Sequence, residues 1–173
     1  MNALLEPTFL RLEKQREEFC AWVQKAPAPL QHKQPGPNQW SAAQVLFHLA
    51  RVDQQVVNGL ENRLKTRKAL KPLKLATKVR SLLLNLLLKL PIKFKAPPQV
   101  REVPEQVDLV SVMQEWKETR EKLHNILTAY PTQQLGKEVF FHPRAGMLTM
   151  PQTLTFLVEH TEHHRRQMRR LLS

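Results

Sequence analysis

Apolar residues recur every three or four positions along most of the chain, and this restricts the fold more than any other property. From residue 4 to 26 the stripe is Leu5, Phe9, Leu12, Phe19 and Val23, with Arg11, Lys14, Glu17 and Glu18 on the opposite side. Four prolines and Gly36 between residues 26 and 40 predict a break that sustains neither helix nor strand. Ser41 followed by Gln44 is a capping-box pattern, and it opens a second helix to about residue 66 with Val45, His48, Leu49, Val52, Val56, Leu60 and Leu64 inward. A helix over 109–130 turns Leu109, Val112, Met113, Trp116, Leu123 and Leu127 inward. Thr149 with Gln152 repeats the capping box before a last helix over 150–172, whose inward side carries Leu154, Leu157, His160, His164, Met168 and Leu171. Residues 131–148 read as a loop, and no strand signal competes with the helices. The expectation is an all-α fold in one domain spanning 1–173.

Charge separates one segment from the rest. The chain has a formal net charge of +12, yet residues 63–101 alone contain twelve Lys and Arg and no acidic residue. The flanking parts are each neutral. Within the basic segment, residues 69–90 read as a helix with Lys71, Lys74 and Lys78 on one face and Leu75, Leu82, Leu86 and Leu90 on another. Pro91, Pro97 and Pro98 close it, and an extended crossover leads to Asp108. The plainest account of this insert is a helix packed by its leucines with lysines in solvent. The sharper one is attraction to an anionic membrane surface or an acidic partner. Nucleic acid is disfavoured, because Phe94 is the segment's one aromatic ring for stacking.

Other classes are removed by what is scarce. One cysteine, Cys20, excludes an intrachain disulfide and a cysteine-based zinc or iron–sulfur site. None of the four glycines lies in a phosphate-cradling pattern. The first residues show no basic start before an apolar run, and the greasiest stretch, 82–92, is interrupted by Asn85 and Lys89 and too short to span about 30 Å of hydrocarbon. A cytoplasmic location is the expectation.

Chemistry points to the histidines. His160 and His164 are four residues apart on an inward helix face, so their imidazoles can meet one metal ion. His48, inward on another helix, offers a third ligand of the same type, and three histidines leave an open coordination position. A core histidine bonded to backbone is the competing account of His48. His163 with Arg165, Arg166, Arg169 and Arg170 also suits a solvated, basic helix end. His32 and His124 receive no role. Asp53, Glu159 and Glu162 lie near the histidines in sequence as general-base candidates, although each reads more readily as a surface charge.

These strings resemble a known superfamily. QWSAAQVLFHL (residues 39–49) resembles the Trp-Ser, spacer, His-Leu start of the second helix in DinB-like proteins of the DinB/YfiT type. HTEHHRRQ (160–167) resembles their terminal pattern of His, three residues, His, two residues, Gln, and HPRAGMLT (142–149) resembles the segment before it. The resemblance implies an up-down-down-up four-helix bundle with a long crossover, of which residues 63–101 are an extra insert. It implies a divalent metal, zinc or nickel, held by His48, His160 and His164. Gln167 matches the family's glutamine and would support a ligand; His163 and His142 are neighbours that could do the same. The implied chemistry is hydrolysis, or transfer to a low-molecular-weight thiol, acting on a small molecule of unassigned identity through catalytic groups the sequence does not name. A homodimer is the usual assembly in that family.

Overall fold

The computed structural model describes residues 1–66, 69–72 and 102–173. Helices dominate these residues, and the first, α1 (Glu6–Lys25), buries Phe9, Leu12, Phe19 and Val23 as its periodicity requires. Proline-rich residues after it form one helical turn, α2 (Ala28–His32), where a break without helix was expected. Its prolines fall at the N-terminal end, where a missing N–H costs nothing. The Gln31 amide then donates to the Val23 and Ala26 carbonyls and ties the turn to the end of α1.

Helix α3 (Ala42–Lys65) begins with the expected capping box: Ser41 Oγ accepts the Gln44 N–H at 3.2 Å and Gln44 Oε1 accepts the Ser41 N–H at 3.0 Å. Gln44 also donates to the Pro104 carbonyl at 2.9 Å, pinning the end of the crossover to the start of α3. Helix α4 (Leu109–Ala129) starts from Asp108, whose carboxylate accepts the Val110 and Ser111 N–H groups. Helix α5 (Met150–Leu171) starts from Thr149 with a second capping box.

Two further expectations change. Residues 131–148 are not all loop: β1 (Phe140–His142) and β2 (Gly146–Leu148) form an antiparallel hairpin. Gly146 has φ of +81°, a conformation that lets the chain turn there without strain. Strand periodicity over three residues is too brief to be read from sequence. Residues 69–72 are not helical, and Pro72 instead bridges to Lys137 while Lys71 O accepts the Glu138 N–H at 2.8 Å. The remainder of the helix expected over 69–90 lies outside the described residues.

Helix α3 packs on α4 and α5, and α1 packs on α5, α3 and α4. Two apolar clusters result. One gathers Leu5, Phe9 and Leu12 with Val56, Leu60, Leu123, Leu127, Leu154 and Leu157. The other gathers Phe19 and Val23 with Val45, Leu46, Leu49, Trp116, Met168 and Leu171. Among these apolar residues every long helix carries a band of polar side chains out of water: Gln15, then His48 and Asp53, then Thr119 and Arg120, then Thr161. Buried polar groups need partners, so this band is where chemistry is expected.

Candidate metal centre

His48, His160 and His164 meet in that band. One ring nitrogen from each lies within 4.8 Å of the other two, a spread that lets all three coordinate one ion. His48 is buried and the other two half-buried, with His48 Nε2 3.3 Å from His160 Nε2. Helix geometry supplies the pairing: His160 and His164 are one turn apart on α5, and the His48 ring centroid is 5.2 Å from each of theirs.

Electrostatics favours the neutral form of the two α5 rings. Burial, reinforced by the neighbouring imidazoles, pushes His164 down to about 3 and His160 well below the usual histidine range. A neutral imidazole is the ligand form. Gln167 Oε1 lies 2.8 Å from His164 Nδ1, and because a carbonyl oxygen can only accept, the ring proton sits on Nδ1. The Nε2 lone pair is thereby left for the centre. An all-imidazole donor set of this kind suits zinc, nickel, copper or iron alike.

The other expected residues separate. His163 stands edge-on to His164 with ring centroids 5.3 Å apart, outside the triad. His142 is buried in the hairpin, where its Nδ1 accepts the Arg144 and Ala145 N–H groups at 3.2 and 3.1 Å. His32 and His124 are exposed and away from the triad. Asp53 is not a surface charge but is 3% exposed, accepting from Arg120 Nε at 2.7 Å and from the Trp116 indole N–H. Burial pushes its carboxyl up, against the pull of the Arg120 guanidinium. Glu162 accepts from Gln15 at 3.0 Å and pairs with Arg165 at 2.7 Å. Glu159 is half-buried.

Rings also line the centre in a way the sequence reading did not name. Trp40 lies 4.8 Å from His48, and Phe156 stacks on His160 at 5.6 Å with a 29° interplanar angle. Phe156 precedes His160 by one turn on the same face, so spacing held that signal. Arg120 follows Trp116 by one turn, and its burial was not anticipated because an isolated charge is rarely hidden.

The model of the DinB superfamily matches residues 11–168, most of the chain. The chain belongs to the DinB superfamily. A comparison with curated proteins found no match. In this DinB protein the match takes in all three histidines of the triad and Gln167. Among the described residues, no helix is long and apolar enough to cross a membrane.

Proposed function

We propose that this DinB protein binds a divalent metal ion, zinc or nickel, through His48, His160 and His164, and acts as a hydrolase or thiol S-transferase on a small molecule. The observation that carries the reading is the convergence of three imidazole nitrogens within 4.8 Å. An ion held by three protein ligands supplies Lewis acidity at an open position. The chain supplies orientation: Gln167 fixes the His164 tautomer, and Trp40 and Phe156 wall the triad with apolar faces. Asp53 and Glu162 are occupied by Arg120 and Arg165, so neither is free to take a proton from a reactant. The order in which α1, α3, α4 and α5 pass the two apolar clusters supports an up-down-down-up bundle. Metal analysis of protein purified without a histidine tag tests the reading. Bound zinc or nickel lost in His160→Ala and kept in His124→Ala is the expected result; protein that carries no metal and ignores added zinc and nickel overturns it.

A second reading concerns the twelve basic residues between 63 and 101. We propose that they attract an anionic membrane surface, each contributing about 1 kcal/mol near the headgroups. Flotation with vesicles containing phosphatidylserine checks this, and equal binding to neutral vesicles overturns it.

A further inference from the structure

The three ligand rings are not held alike. His164 has a hydrogen bond from Nδ1 to Gln167, the usual way a ligating histidine is fixed. His160 has its contact to His48 through Nε2, at 3.3 Å. What also touches the His160 ring is the face of Phe156. Behind Phe156 stands His142, edge-on at 4.5 Å and 69°.

His142 is itself immobilised. Its Nδ1 accepts two successive backbone N–H groups, those of Arg144 and Ala145, and so closes the hairpin turn from within. The hairpin is seated on both ligand-bearing helices. Phe140 lies against Gly59 of α3, where an added Cβ would come within 3.1 Å of its ring. Leu148 of β2 and Val139, which adjoins β1, are buried, whereas Phe141 is exposed. The pieces therefore run in series from a locked turn, through an edge-to-face contact, to a stacked ligand.

We propose that the hairpin is a clamp for the metal centre, in which His142 and Phe156 are positioning residues that hold the His160 ring in its ligating orientation. Stacking does for His160 what the Gln167 hydrogen bond does for His164. His142 acts through Phe156 and contributes no ligand. This inference rests on the metal reading above, and its test separates the two.

Cobalt(II) titration of the full chain against a competing chelator reads the affinity, and the cobalt absorption bands read the ligand geometry. Phe156→Leu removes the ring at similar volume; His142→Asn keeps an acceptor for the turn and removes the edge. Each is expected to weaken cobalt binding about tenfold or more and to shift the bands. Because the two act in series, the double variant should bind no more weakly than Phe156→Leu alone. Leu127→Ala, a core truncation on α4, should lower the melting temperature and leave affinity unchanged. Parent-like affinity and spectra in both single variants, or fully additive losses in the double, overturn the clamp while leaving the metal reading intact. A parent protein that takes up no cobalt, zinc or nickel overturns both.

Discussion

His164 Nδ1 donates to Gln167 Oε1 at 2.8 Å, three residues along the same helix. The bond selects one tautomer, orients the ring and makes Nε2 a better donor. Replacing Gln167 by Leu removes the acceptor without adding a charge. Zinc affinity, measured by competition with a chromophoric chelator, should fall roughly 10- to 100-fold. Helix content by circular dichroism should not change, because the bond from Gln167 to His164 lies within α5 and caps neither of its ends.

Asp53 and Arg120 form a charge pair almost without solvent contact, at 3% and 1% exposure. Breaking such a pair leaves one charge buried and uncompensated. Asp53→Leu or Arg120→Met alone should cost about 3–5 kcal/mol in urea unfolding. The double variant should recover most of that loss, since an apolar pair no longer has to be desolvated as ions.

Acid should weaken the fold through His142, which burial pushes down to about 4. The unfolded state binds its proton near 6.5 while the folded state resists until about 4. This residue's contribution is therefore intact above pH 6.5 and erodes as pH falls toward 4, by on the order of 3 kcal/mol in all. Melting temperatures of parent and His142→Asn across that window check the sign: the parent should fall more steeply.

Both ligand-bearing helices open with reciprocal capping boxes, at Ser41–Gln44 and Thr149–Gln152. Ser41→Ala and Thr149→Ala should each destabilise by about 1 kcal/mol. Chemical denaturation reads this directly. Ser41 is the more informative site, because its Gln44 partner also anchors Pro104.

Much of the fold was legible because side-chain period and caps are local properties. The inward stripes of α1, α3 and α5 and both capping boxes lie where the sequence put them. The triad was legible for the same reason, two of its members being one helical turn apart. What escaped was written across the chain. Arg120 meets Asp53 across 67 positions, so neither residue carries a local sign of its partner. The hairpin escaped because His142 defines it through a side-chain bond to its own turn, which no alternation of apolar and polar residues announces. The short helix after α1 escaped because proline was weighed as a breaker, whereas at a first turn it is harmless.

His48 and His160 touch although 112 positions separate them along the chain. A meeting of that kind closes a long loop whose entropic cost rises only with the logarithm of its length, about 0.6 kcal/mol for each doubling. Residues 63–101 lie inside this loop, and so does the crossover anchored at Pro104. Extra chain spliced there is thermodynamically cheap for the centre. The same loop can thus be lengthened, shortened or recharged in evolution while the three imidazoles keep their geometry.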